Sequence, residues 1–155
     1  MIVRPASSDE LDDVARLTVD AYSQYRAGLG DELWDGYEQE LASVTDHAQR
    51  GTALVAESDG ELLGSVWVLP STRGPDRMYF RYLAVSPSAR GRGIGRLLIE
   101  ACIEHARSAG ATRLAWRTGS FMEPAIALYS RMGHEPVADE PLIGDIRSLR
   151  YEIAI

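Results

Sequence analysis

The chain contains no lysine: all 16 of its basic residues are arginine. Its own side chains therefore offer no ε-amine for acylation. A phosphate loop of the form GxxxxGK[ST] is excluded, because its lysine is missing. The bias fits the codon usage of a GC-rich bacterial genome and leaves arginine, the better fork for phosphate, as the available cation. Only one cysteine is present, Cys102, so no disulfide can form within the chain. Cys102 sits inside an apolar helical pattern and reads as core rather than nucleophile. The three histidines, His47, His105 and His134, are scattered, with no pair at metal-ligand spacing, and no metal is expected. There is no GxSxG nucleophile elbow. No apolar run approaches a membrane span, and "MIVRPASSDE" lacks the basic and apolar regions of a leader peptide. These absences point to a cytoplasmic protein with no membrane partner. The net charge of −7 leaves no broad surface to neutralise nucleic-acid phosphates.

The chain has 155 residues, 45% of them hydrophobic and 25% charged. That length and composition fit one domain, residues 1–155, with a single core. "MIVRPA" reads as an edge strand. Ser7 and Glu10 have capping-box spacing, and the helix they open carries an inner stripe of Leu11, Val14, Ala15, Thr18 and Tyr22. "RAGLGDE" breaks it. A second helix is predicted over 31–50, facing inward with Leu33, Trp34, Tyr37, Leu41 and Val44. "TALVAES" and "ELLGSVWVLP", joined by Asp59-Gly60, predict a hairpin. "MYFRYLAVSP" predicts a strand stopped at Pro87. A helix over 93–109 follows, lined by Ile94, Leu97, Leu98, Ala101 and His105. "ATRLAWRT" is a further strand, and "EPAIALYSRMG" a compact helix with Pro124 near its start and Gly133 at its end. "HEPV" and "RSLRYEIAI" read as closing strands, with "ADEPLIGDI" a loop between them. The element order is β-α-α-β-β-β-α-β-α-β-β, an α/β mixed sheet with helices on its faces.

The densest basic cluster in this acidic chain lies in "VSPSARGRGIGRLL", where arginine and glycine alternate from Arg90 to Arg96. A helix start leaves N–H groups unpartnered and carries the positive end of the helix dipole, which makes it an anion site. Glycine lets backbone approach a phosphate closely, and Arg90, Arg92 and Arg96 can add charge-assisted contacts. The glycines fall at 91, 93 and 95, which does not match the GxGxxG dinucleotide fingerprint.

"RYLAVSPSARGRGIGRLLIEAC" resembles the acetyl-CoA signature of the GCN5-related N-acetyltransferase (GNAT) superfamily. Arg90, Gly93 and Gly95 fill the fixed positions of [QR]xxGx[GA], and Gly91 and Arg92 match its common form. "PAIALYSRMGHEPV" resembles the family's second motif, AxxLYxxxGF, and the element order resembles its fold, a mixed, mostly antiparallel sheet with helices on both faces. The resemblance covers nearly the whole chain, most specifically 81–134. It implies an acetyl-CoA-dependent N-acetyltransferase acting by direct transfer to an amine. Leu83, Ala84 and Val85 would pair with the pantetheine arm as an added strand. The N–H of Val85 would polarise the thioester carbonyl. Residues Arg90, Gly91, Arg92, Gly93, Ile94, Gly95 and Arg96 would hold the pyrophosphate. Ala125 would face the arm, and Tyr129 would protonate the departing thiolate.

The chain departs from that pattern at three places. Tyr79 stands where many members carry a glutamate base, so the base could be a water chain, a backbone carbonyl, Glu123 or an acidic residue near Glu32. Ser120 or Met122 occupies the region of a frequent asparagine, and His134 replaces the aromatic after the glycine. Acceptor specificity in the family falls on the first two helices and the closing hairpin. Here Tyr22, Tyr25, Trp34 and Tyr37 are interleaved with Asp31, Glu32, Asp35 and Glu38, and Tyr79 lies nearby. Aromatics beside carboxylates suit a cationic amine, either a small molecule or a peptide N-terminus. Helix-face packing is the competing reading of the same aromatics. A non-catalytic acyl-CoA-binding or sensor domain is the alternative function, and homodimers are common in the family.

Overall fold

The computed structural model describes residues 1–155. Seven strands form one sheet in the order β1-β2-β3-β4-β5-β7-β6. They are β1 (Ile2–Pro5), β2 (Thr52–Ser58), β3 (Glu61–Pro70), β4 (Arg77–Val85), β5 (Arg113–Gly119), β6 (Ala138–Ile143) and β7 (Ile146–Ala154). Only the central β4–β5 pair is parallel; the other pairs are antiparallel.

Period-two alternation decides which side chain enters which core. On β2 and β3, Leu54, Ala56, Val66 and Val68 face one cluster, and Val55, Trp67 and Leu69 face the other. Both faces are covered, so these strands read as continuous apolar runs. The first cluster packs under α4 (Ile94–Ser108) and α5 (Glu123–Arg131); the second packs under α1 (Leu11–Tyr22), the short α2 (Arg26–Leu29) and α3 (Asp31–Ala42). The hairpin turn takes left-handed φ at both Asp59 (52°) and Gly60 (78°), as its dipeptide demands. At the start of α1, the Glu10 carboxylate accepts the Ser7 N–H at 2.9 Å, completing one half of the capping box. No helix is long and apolar enough to cross a membrane.

Five local expectations are corrected. The second helix stops at Ala42, and a 3-10 segment, Val44–Gln49, continues to the turn at Gly51. Leu33 is exposed, because the inward face of α3 is set by Trp34 and Leu41. The buried stripe of α4 is Ile94, Leu98, Ile99, Cys102 and Ala106; Leu97 points outward and His105 is half-buried. The segment "ADEPLIGDI" is not a loop: it supplies β6 and the turn into β7, whereas residues 134–137 are not a strand. Strand β6 pairs on one side only and its side chains are almost all exposed. It therefore tolerates Pro141 and lacks the apolar signal of a buried strand.

Candidate active site

The site begins with an interrupted ladder. Strands β4 and β5 pair only at Arg77–Arg113, Met78–Leu114 and Tyr79–Ala115. Beyond Tyr79 the strands part, so the β4 backbone from residue 80 to 85 has no strand partner on that edge. Its other edge still pairs with β3, with one irregularity. Between Ser65–Ala84 and Trp67–Arg81, β3 advances two residues and β4 three. The extra residue is a bulge that bends the strand. Tyr82 takes up the distortion at φ 56°, a left-handed conformation that costs a non-glycine residue about 1–2 kcal/mol. Helix α3 holds it there: the Tyr82 hydroxyl donates to Glu40 Oε1 at 2.9 Å, and Arg81 pairs with the same oxygen at 3.1 Å.

A cavity of about 650 Å³ occupies the gap between the parted strands. Leu83, Ala125 and Tyr129 line it, as do Tyr22, Tyr25 and Tyr79. Residues far apart in sequence and singled out on different grounds thus share one space. The tyrosines form an edge-to-face wall, with Tyr22 5.8 Å from Tyr25 and 5.9 Å from Tyr37, and Tyr25 5.5 Å from Phe121. Tyr129 is held by Trp116 and Tyr151 at 5.4 and 5.0 Å. Burial pushes its phenol well above the ordinary tyrosine range, because desolvation disfavours the phenolate. Tyr129 therefore keeps its proton and can offer it as a hydrogen bond. Burial likewise raises Tyr22 and Tyr25, the latter opposed by Arg90.

The glycine–arginine turn lies beyond the cavity lining. Gly93 has φ 79° and forms the N-cap of α4, a backbone state that glycine adopts without steric cost. None of the backbone N–H groups of residues 91–96 is engaged by the rest of the chain. Gly95 permits close approach of α5: a Cβ there would stand 2.8 Å from Leu128 Cδ2. Arg90 donates to the Ala21 carbonyl at 2.9 Å and fastens the turn to the end of α1. Arg96 pairs with Glu100 at 2.9 Å, while Arg92 is exposed. Ala84 is buried against the α1–α3 side and Val85 is half-buried; neither side chain lines the cavity. Cys102 is fully buried and its thiol is pushed up by desolvation, as a core cysteine should be.

The family model for the acetyltransferase (GNAT) family matches residues 11–134. The chain belongs to the GNAT family. It is 31% identical to YjgM of Escherichia coli, an uncharacterized N-acetyltransferase, over 133 residues, 80% of this chain and 75% of that one. It is 30% identical to N-acetyltransferase 8 of Rattus norvegicus over 122 residues, 72% of this chain and 55% of that one. The chain thus spans only about half the length of the rat relatives it matches. The fold is that of yncA from Salmonella typhimurium, solved with its cofactor acetyl-CoA: the TM-score is 0.75 at 19% identity, covering 99% of this chain and 92% of that one.

The acidic residues among the first helices lie elsewhere. Asp31, Glu32, Asp35 and Glu38 are exposed on the outer side of α3, and none lines the cavity. Trp34 is 3% exposed and packs within the α1–α3 cluster, away from the cavity. Glu123 is exposed at the start of α5 and also stands outside. The cavity does hold Tyr37, one of the aromatics singled out in the sequence, together with Phe121, Trp116 and a set of arginines that sequence reasoning passed over. The alternation of "TRLAWRT" and "RSLRYEIA" carries the signal for those arginines, once it is known which face of the sheet stays open.

Proposed function

We propose that this protein is an acetyl-CoA-dependent N-acetyltransferase. In this reading it passes the acetyl group to a primary amine, on a small molecule or a peptide N-terminus, by direct attack in a ternary complex. The observation that carries the reading is the unpaired edge of β4 from residue 80 to 85, opening into the cavity that Tyr129 lines. Three features suit acetyl-CoA: this free strand edge, the unengaged N–H groups of 91–96, and the close α4–α5 approach at Gly95. Acetyl-CoA, when bound, supplies an acetyl group activated as a thioester. The backbone of Leu83, Ala84 and Val85 pairs with its extended arm, and Ala125 packs against that arm. The Val85 N–H donates to the carbonyl oxygen, where negative charge develops. The turn from Arg90 to Arg96 holds the pyrophosphate through backbone N–H groups and arginine charge.

The amine must shed a proton before or as the carbon–nitrogen bond forms, and the sulfur must gain one as its bond to carbon breaks. Tyr129 serves the sulfur: its buried phenol is protonated and its hydroxyl has no partner in the chain. The amine's proton has no free carboxylate to go to. Glu152 is the only acidic residue lining the cavity, and Arg77 and Arg113 hold its two oxygens at 2.9 and 3.2 Å. A chain of water carries that proton to solvent, and a backbone carbonyl can only orient the amine by accepting a hydrogen bond from it. The same lack of a free carboxylate favours a second reading, an acyl-CoA-binding module without catalysis. Thiol release from acetyl-CoA, measured across a panel of primary amines with mass detection of the acetylated product, separates the two. Turnover with some amines supports the enzyme; tight CoA binding without release for any amine supports the module.

A further inference from the structure

The charge inside the cavity opposes that of the chain. The protein carries a net charge of −7, yet seven of the cavity's lining residues are arginine and one is acidic. Alternate positions on three neighbouring strands produce this wall. Arg77 on β4 stands beside Arg113 on β5, and Arg117 on β5 beside Arg150 on β7. Most of these cations have partners. Glu152 serves Arg77 and Arg113, Glu40 serves Arg81, and Glu140 approaches Arg117 at 3.5 Å. Arg50, Arg73 and Arg150 have no carboxylate within 4.0 Å, and their guanidinium groups make no hydrogen bond in the chain; Arg50 and Arg73 are exposed, and of the three only Arg150 is half-buried. A half-buried fork of donors beside a second guanidinium is a carboxylate-binding arrangement.

We propose that the acceptor amine carries a carboxylate of its own, as an amino acid does, and that Arg150 binds this carboxylate with Arg117 beside it. The inference rests on the amine-acetylating reading above. The wall attracts the acidic end of the acceptor and repels the ammonium end, which orients the molecule in the cavity. A polyamine, with positive charge at both ends, meets repulsion throughout.

The test compares matched acceptors in the thiol-release assay: free α-amino acids, their primary amides and the corresponding decarboxylated amines. A charge-assisted hydrogen bond of this kind predicts a preference for the acid in kcat/KM on the order of 10- to 100-fold, expressed mainly in KM. Arg150→Gln should abolish the preference, Arg150→Lys should restore part of it, and the KM for acetyl-CoA should stay unchanged in both. Amides or polyamines that react as well as the acids in the wild-type enzyme would overturn the inference and leave the acetyltransferase reading standing. The same holds for an acid preference that Arg150→Gln leaves intact. No transfer to any acceptor, with no thermal shift by acetyl-CoA, would remove both.

Discussion

The two faces of β5 and β7 use one alternating pattern to opposite ends. Leu114, Trp116, Tyr151 and Ile153 turn toward α4 and α5, where Trp116 is sandwiched between Phe80 (4.8 Å) and Tyr151 (5.1 Å, interplanar angle 3°). Arg113, Arg117, Ser148, Arg150 and Glu152 turn the other way and belong to neither core cluster. On β2 and β3 both faces are packed, because α1–α3 cover the second one. Past β4 those helices end, and the uncovered face becomes the wall of a cavity. One side of β5 and β7 is thus packed into the core, with Trp116 also reaching the cavity, and the other side is left uncovered.

Substitutions can break that contrast. Trp116→Ala removes the middle ring of the stack and should cost about 3–5 kcal/mol in chemical denaturation. Arg117→Ala, next along the same strand but on the open face, should change stability by no more than about 0.5 kcal/mol. Equal losses would mean that both faces are structural. Tyr129→Phe comes next. Turnover should fall on the order of 100-fold, the lower range for a lost general acid. The melting temperature and the shift induced by acetyl-CoA should hardly move, because the hydroxyl bonds to nothing in the chain. Unchanged turnover would strip Tyr129 of its proposed role.

A smaller effect is expected where α4 and α5 meet. Gly95→Ala would place a Cβ 2.8 Å from Leu128 Cδ2, and thermal melts should record a loss of about 1 kcal/mol as the leucine shifts. The smallest effect belongs to the ion-pair cluster at β1. Arg4 bonds Glu10 and Glu57 at 2.7 and 2.9 Å. The hydrogen bond from Arg4, helped by the Ser7 N–H, lowers Glu10 from 4.5 to about 2. A depressed carboxylate contributes stability above its unfolded value, and that contribution disappears as pH falls from about 4.5 toward 2. Glu10→Gln should flatten the acid side of the stability–pH curve in that window and nowhere else. An unaltered acid limb would show that the cluster is screened by solvent.

Much of the fold is legible in the sequence because local chemistry and tertiary demand coincide. Asp59-Gly60 requires a primed turn and makes one. Val55, Val66, Trp67 and Val68 are apolar in the strands buried on both sides. The glycine–arginine turn announces a helix start, and its N–H groups are left unengaged by the chain. Other features escape for physical reasons. Strand β6 is an exposed edge, so nothing forces it to be apolar. The stripe of α4 is displaced because two helix faces, 94/98/101/105 and 94/98/102/106, are both apolar enough to be plausible, and only packing against the sheet selects one. The arginines of β5 and β7 are visible as a pattern, but their meaning depends on where α1–α3 stop covering the sheet. The acidic residues of α3 mislead in the same way: they are near the site in sequence and on the wrong side of the helix in space.

The central claim is that the open edge of β4 and the turn at 91–96 together hold acetyl-CoA. A thermal-shift titration with acetyl-CoA, CoA, ATP and NAD tests it most directly. At a concentration about 100 times the dissociation constant, a ligand selective for the folded state should raise the melting temperature by roughly 5–10 °C. The account predicts such a shift for acetyl-CoA and CoA alone, reduced by Arg92→Glu. No shift with either, or an equal shift with ATP or NAD, would contradict it.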